Sequence, residues 1–261
     1  MHICKHIYKH NIVMYLSNLE SIPRILIVRL SALGDILHAL PLLAALRARW
    51  PEAFIGWLVE PLGAQLLEGH PLLGALHVVP KKELKEQTWS ALRGPGRELL
   101  KTIRSQRYEI ALDVQGLTKS AAWGWWAGIA RRLCLARPDS RELAPWLATE
   151  AVAPRPEALH VVERNLELLR PLGIEPPRPV VFPVHLSEAA RARAAAILGA
   201  ARAPLVIMAL GAGWATKVWP AERFGRLARL LAQRHGCRVA FSWGPGEQGL
   251  VAAAMDASGG G

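Results

Sequence analysis

Cysteine is scarce in this chain: Cys4, Cys134 and Cys237 are the only three, far apart in 261 residues. An odd, scattered set makes no disulfide framework, no CxxC pair and no zinc spacing, so a reducing compartment and no metal site are expected. Long apolar runs are missing as well, because Arg or Lys interrupts each one before the ~18–20 residues of a membrane span. Residues 1–23 hold two lysines and a short apolar run without a long apolar region and small-residue cleavage site, so no signal peptide is read there. That stretch is expected to be a poorly ordered extension ahead of Pro23. His2, His6 and His10 would share one face if it were helical, and Met14 offers a later start. Zinc fingers, a basic zipper and RNP-like aromatic strands are all absent, so nucleic acid is not an expected partner.

Acidic residues are in the minority, with 21 Asp+Glu against 32 Lys+Arg and a net charge of +11. The excess is spread along the chain. It suits an anionic membrane surface or a phosphorylated substrate. The densest basic stretch runs from Lys81 to Arg107, where Glu83, Glu86 and Glu98 dilute it. It reads equally as a solvated helical face and as an anion-binding surface.

Local patterns predict alternating strands and helices. Residues 24–29, 54–59, 75–79 and 108–113 are short apolar, β-branched runs. Helices are expected from Ile36 to Trp50, with Pro41 tolerated if it falls in the first turn, from Glu98 to Gln106, and from Glu157 to Leu172 with Gly173 as a stop. Residues 174–179 look like a linker. Beyond it come a helix to Leu198 capped by Ser187, a strand over 204–210, a helix from Ala221 to His235 and a strand over 238–242. Such alternation argues for parallel βαβ units, an α/β fold. Ligands then bind beyond the carboxyl ends of the strands, where Ser31–Asp35 and Asp113–Lys119 fall.

A few residues stand where chemistry is possible. Asp35 follows Gly34 at a strand-to-helix turn, where the helix dipole favours a carboxylate; it reads as a helix cap or as a general base. His38, one turn on, reads as packing or as a neighbour in the site. Gly211-Ala212-Gly213 lacks the third glycine of a dinucleotide fingerprint, so a nicotinamide cofactor is not expected. The turn still brings backbone N–H groups to a ligand, and Lys217 adds a charge suited to phosphate. Glu247, past the next strand, stands where a carboxylate takes ribose hydroxyls, or it is a helix N-terminal Glu.

Five segments occur in order: VRLSALGDILHALP from Val28, DVQGLTKS from Asp113, HVVER from His160, LGAGWATKVWP from Leu210 and WGPGE from Trp243. Together they resemble the lipopolysaccharide heptosyltransferases of glycosyltransferase family 9, and DVQGLTKS is most similar to the type I branch. The resemblance implies a GT-B fold of two Rossmann-like doubly wound domains. The first, 24–178, would bind the acceptor; the second, 179–261, would bind the nucleotide sugar and looks truncated.

The implied reaction moves L-glycero-D-manno-heptose from ADP-heptose to a Kdo hydroxyl of Kdo2-lipid A, with inversion and with no cofactor or metal. By the same resemblance Asp35 is the general base. Gly34, Gly211, Ala212, Gly213, Lys217 and Glu247 bind the donor, and Lys119 with Arg93, Arg97 or Arg104 meets the acidic acceptor. A cytoplasmic location is implied, with peripheral attachment to the inner face of the membrane compatible with the charge. Heptosyltransferase II, another family 9 transferase, and an inactive fragment that only binds acidic glycolipid are the alternatives. Two departures bear on them: the family's D-T-G-x-x-H segment is not present, and Arg132-Leu-Cys-Leu-Ala-Arg137 replaces a glycine-aromatic step.

Overall fold

The computed structural model describes residues 22–80, 94–199 and 203–259. The extension read over 1–21, and Lys81, Lys82, Lys85 and Arg93 of the basic stretch, lie outside the described residues. The chain divides into two compact units, residues 1–187 and 188–261.

In the first unit six parallel strands form one sheet. They are β1 (Arg24–Val28), β2 (Phe54–Val59), β3 (Ala75–Val78), β4 (Ile110–Asp113), β5 (Arg131–Leu135) and β6 (Glu150–Val152), in the order β3-β2-β1-β4-β5-β6. The order reverses between β1 and β4, so the open crevice of a doubly wound sheet lies at their carboxyl ends. The intervening helices are α1 (Leu33–Arg49), α2 (Pro61–Ala64), α3 (Pro95–Ser105), α4 (Thr118–Trp126), α5 (Ala144–Leu147) and α6 (Val161–Leu166), the last continued as a 3-10 turn over Glu167–Leu172.

Strand β1 shows why a central parallel strand reads as an unbroken apolar run. Ile25 and Ile27 enter one core with α1 and α6, while Leu26 and Val28 enter a second with Ile103 of α3 and Trp123 of α4. Each such side chain, fully buried, is worth about 1.5–3 kcal/mol. Strand β2 follows the same alternation with one gap. Ile55, Trp57 and Val59 join the first core, and on the other face Gly56 leaves room for the Tyr108 ring, whose hydroxyl lies 2.8 Å from His77 Nε2 on β3.

Several expectations need correction. Pro41 sits well inside α1, which starts at Leu33, so the carbonyl of Leu37 loses its i+4 donor; burial of Pro41 among the core leucines outweighs that loss. The strands β5 and β6 and the helix α4 were not anticipated. Arg131 and Arg132 look like loop residues in isolation, but Arg131 is forked onto Glu150 of β6, with Nε–Oε1 at 2.6 Å and Nη2–Oε2 at 3.0 Å. Segment 174–179 is no free linker: Ile174 is buried in the first core and Glu175 pairs with Arg155. Val180 packs on the same core and the Pro183 carbonyl lies 2.6 Å from His70 Nε2, so the first unit runs on to Ser187.

The second unit comprises α7 (Glu188–Leu198), β7 (Leu205–Ala209), a 3-10 turn (Ala215–Lys217), α8 (Ala221–His235), β8 (Arg238–Ser242) and α9 (Gln248–Ser258). Its two parallel strands pair in register from Leu205–Arg238 to Ala209–Ser242. A small core of Leu210, Ala221 and Ala254 gathers Phe224, Phe241 and Leu250, whereas Ile207 of β7 is largely exposed.

Two buried titratable groups in the first unit oppose each other. Burial lowers His77 to about 4 from 6.5. Asp113, at the end of β4, is raised by burial from 3.8 to about 6, against the hydrogen bonds it accepts. Its Oδ1 accepts from the N–H of Gln115 and Gly116, and Oδ2 lies 3.0 Å from Ser120 Oγ. Ser120 Oγ is also 2.8 Å from the Leu117 carbonyl, and one hydroxyl proton cannot serve both acceptors.

As pH falls from 6.5 towards 4, the unfolded chain takes up the His77 proton that the fold refuses, so stability drops. Asp113 has the opposite sign, because between about 6 and 3.8 the fold binds its proton first and stability rises. Asp113→Asn therefore unmasks acid lability, and His77→Gln unmasks acid stabilisation. Urea midpoints measured from pH 7 to 4 should diverge from the parent in these opposite directions; parallel curves would contradict the assignment.

Candidate active site

The carboxyl ends of β1 and β4 are tied together by residues far apart in sequence. Gln115 Oε1 accepts from the N–H of Leu30 and Ser31, at 2.9 and 3.2 Å, which sets the course of the chain into α1. Gly116 follows in the left-handed region at φ +67°, and a Cβ there would meet Ser140 Oγ at 2.5 Å, so the turn needs glycine twice over. Trp57 of β2, fully buried, donates its indole N–H to the Arg29 carbonyl at 3.2 Å.

Arg29 is held from both ends. Its Nη1 donates to the Val114 carbonyl at 2.6 Å, and its Nη2 meets Asp35 Oδ2 at 2.5 Å. Asp35 occupies the first turn of α1, where backbone N–H groups favour a carboxylate, and the Ala32 N–H also donates to Oδ2 at 3.3 Å. Among the described residues no hydrogen bond is made to Oδ1. His38 Nδ1 lies 4.0 Å from it, and the Asp35 side chain is 43% exposed. One oxygen is thus anchored and the other faces solvent, an arrangement that can accept a proton.

His38 both packs and neighbours the site. It is partly exposed and meets the His160 ring edge-on at 5.7 Å between centroids. His160 is the N-cap of α6: its Nδ1 accepts from the Val162 N–H at 3.2 Å, which leaves the proton on Nε2. The carbonyl of His38 takes a bond from Asn165 Nδ2, fastening α1 to α6.

Lys119, in the first turn of α4, stands at the same edge, with Nζ 3.4 Å from Oε1 of the buried Glu60. Arg97 is exposed in the first turn of α3, so a crossover from β3 to β4 places it at the carboxyl edge too. Arg104 is placed elsewhere. It lies in the last turn of α3 and donates to the Trp126 carbonyl at the end of α4, at 2.6 Å. Crossover helices run back against the strands, so both helix ends are at the amino edge, away from Asp35.

In the second unit, Gly211-Ala212-Gly213 follows β7 and Glu247 follows β8. The Glu247 carboxylate accepts from the Gly244 N–H at 2.7 Å. A Cβ on Gly211 would lie 1.9 Å from Glu247 Oε1, so these two residues, 36 apart in sequence, are in direct apposition. Gly34 and Gly213 differ: a Cβ on either would meet nothing within 4 Å. Lys217 ends the 3-10 turn and is exposed. No cluster of three or more His, Cys, Asp or Glu suited to a metal occurs among the described residues, and no helix there is long and apolar enough to cross a membrane.

Residues 96–259 match the model of glycosyltransferase family 9 (heptosyltransferase), well over half of the chain. The chain belongs to glycosyltransferase family 9. Lipopolysaccharide heptosyltransferase 1 of Pseudomonas aeruginosa is 28% identical over 222 residues, which cover 85% of this chain and 61% of that protein. The Escherichia coli K12 heptosyltransferase 1 is 31% identical over 100 residues, 38% of this chain and 31% of that one. The family 9 chain described here thus spans about three-fifths of the Pseudomonas relative. Among solved structures, the E. coli heptosyltransferase WaaC with ADP aligns at a TM-score of 0.72 and 25% identity, over 89% of this chain and 72% of that one. The Veillonella parvula family 9 transferase aligns at 0.76 and 21% identity, over 90% of this chain and 67% of that one, which speaks to the fold alone. The architecture is that of GT-B heptosyltransferases, with parallel sheets and flanking helices in both units.

Sequence reasoning missed Arg29, Gln115 and His160 as parts of this site. Arg29 carried a signal, a lone cation directly behind a buried strand. Gln115 and His160 lie in the DVQGLTKS and HVVER segments, which pointed to the family; the partners of their side chains are supplied by the fold.

Proposed function

We propose that this chain acts in the type I branch of the family, moving L-glycero-D-manno-heptose from ADP-heptose to a Kdo hydroxyl of Kdo2-lipid A with inversion. In this reading residues 24–187 bind the acceptor and residues 188–261 bind the donor nucleotide, at the inner face of the cytoplasmic membrane. The observation that carries it is the Asp35 carboxylate at the switch point of the first sheet, with Oδ2 anchored by Arg29 and Oδ1 open.

Inversion by direct displacement needs one base and a neutralised leaving group. The acceptor hydroxyl oxygen forms its bond to the anomeric carbon while its proton passes to Asp35 Oδ1. The bond from that carbon to the β-phosphate oxygen breaks, and the electron pair leaves with ADP. Lys217 and the N–H groups near Gly213 hold the departing phosphate; Glu247, seated against Gly211, takes ribose hydroxyls, and Gly34 and Ala212 line the donor's path. Lys119 and Arg97 meet the acidic acceptor, and no metal or cofactor is needed for any step. The test is the mass of Kdo2-lipid A after incubation with ADP-heptose and this chain, beside a full-length relative as control. A gain of one heptose supports the reading, and no gain with an active control overturns it for this polypeptide.

The donor side makes its own prediction. Gly211→Ala drives a methyl into the Glu247 carboxylate, the free end of a flexible side chain, so the fold survives while the carboxylate swings away. ADP affinity measured by calorimetry should fall about tenfold, the worth of one charge-assisted hydrogen bond pair. Unchanged affinity would remove Glu247 from the nucleotide.

A further inference from the structure

Helix α5 is short and stands at the rim of the sheet with one side anchored and one side bare. Ala144 is fully buried, whereas Leu143 is 58% and Trp146 80% exposed. The Trp146 N–H donates to the Leu143 carbonyl at 3.0 Å, so the two apolar side chains stand one turn apart. Nothing among the described residues covers them.

The charge around this patch is positive on balance. Asp139 is taken by an ion pair with Arg164 of α6. Glu142 accepts from the Thr118 N–H at 3.0 Å at the start of α4 and keeps its negative charge, one anion against the two arginines that follow. Arg137 reaches only the Glu142 carbonyl with one nitrogen, at 2.8 Å, and stays exposed. Arg141, also exposed, has no side-chain partner among the described residues. An exposed Trp and Leu beside two outward guanidiniums suit one occupant, the interface of a bilayer with anionic headgroups: the indole prefers the headgroup level and the arginines meet negative surface potential.

The patch is also coupled to the site. The Leu143 N–H donates to Thr118 Oγ1 at 3.1 Å, and Thr118 directly precedes Lys119. We propose that Leu143, Trp146, Arg137 and Arg141 form a membrane-docking surface that seats the first unit on anionic lipid with the Lys119 edge beside the headgroups. Its use in catalysis rests on the acceptor reading above; the docking itself does not.

The experiment is flotation of the intact chain with vesicles of phosphatidylethanolamine and phosphatidylglycerol, and with phosphatidylcholine alone, without substrate. The parent should float with the anionic vesicles. Trp146→Ala should weaken this about tenfold through lost apolar burial, and Arg141→Glu about fivefold or more, only on anionic vesicles and fading with salt. Neither side chain supports the fold, and circular dichroism checks this. Partition unchanged in both variants overturns the proposal, as does a change in the sedimentation of the lipid-free chain with Trp146→Ala, which would make the patch a contact between copies. Flotation reads the surface without any transfer, so a chain that floats but transfers no heptose leaves docking standing and removes only the catalytic reading.

Discussion

If the proposed function holds, Asp35→Asn should lower heptose transfer by about 10²- to 10⁴-fold, the usual range for removing a general base. The amide keeps the size of the carboxyl and an oxygen for the Ala32 N–H and Arg29, so the first turn of α1 holds its course. What disappears is the capacity of the second oxygen to take a proton. The loss should fall on kcat with little change in KM, and ADP affinity should stay within a factor of about two, because the nucleotide is assigned to residues of the other unit. The measurement is the initial rate of mass gain on the acceptor at saturating ADP-heptose, with ADP calorimetry alongside. Retained turnover would take the role from Asp35. Arg29→Lys supplies a second reading: it keeps a cation but loses the fork between the Val114 carbonyl and Asp35, so transfer should fall through misplacement of an intact carboxylate.

Gly56→Ala should cost about 3 kcal/mol, the upper end of overpacking in a core. The added Cβ would lie 1.8 Å from Tyr108 Oη, 2.6 Å from Cζ and 3.0 Å from Cε1. Tyr108 cannot retreat without leaving His77, and its ring also contacts Phe54 at 6.0 Å between centroids. Gly56 pairs with both Leu26 of β1 and Ala75 of β3, so the strand cannot shift either. Against a net stability of about 5–15 kcal/mol, that loss is a large share. Tyr108→Phe should not rescue it, since ring carbons remain in the way. Gly34→Ala is the matching control: its Cβ meets nothing within 4 Å and a helical Ala is favoured over Gly, so the urea midpoint should hold or rise. Equal midpoints for Gly56→Ala and the parent would show that the sheet yields where it is described as rigid.

Local order was legible to the extent that one residue's neighbours decide its conformation. An apolar β-branched run, a Gly-Asp turn and an apolar helix pattern suffice for β1 and α1, whatever the rest of the chain does. The same holds for β7, α8 and β8, where the helix ends at Gly236 in the left-handed region and the turns hold the donor candidates. That Asp35 falls at a strand's carboxyl end followed from strand alternation alone, because ligands collect there in such sheets; that this end is the switch point is decided by the strand order.

Partnership was another matter. Strand β5 opens with two arginines that no local rule accepts in a sheet, and Glu150, 19 residues on, and the Pro171 carbonyl make the place tolerable for Arg131. Arg104 looked like part of one basic surface with Arg97, but a helix that crosses back over the sheet sends its two ends to opposite edges. Gln115 reaches Leu30 across 85 residues, and Glu247 meets Gly211 across a full βαβ turn. The sequence by itself determined β1 to β4, β7, β8, the longer helices and the family resemblance, since these are written in short segments. The tertiary structure decided which oxygen of Asp35 stays open, which arginines share its edge and where Trp146 faces outward, because each depends on atoms that only folding brings within a few ångströms.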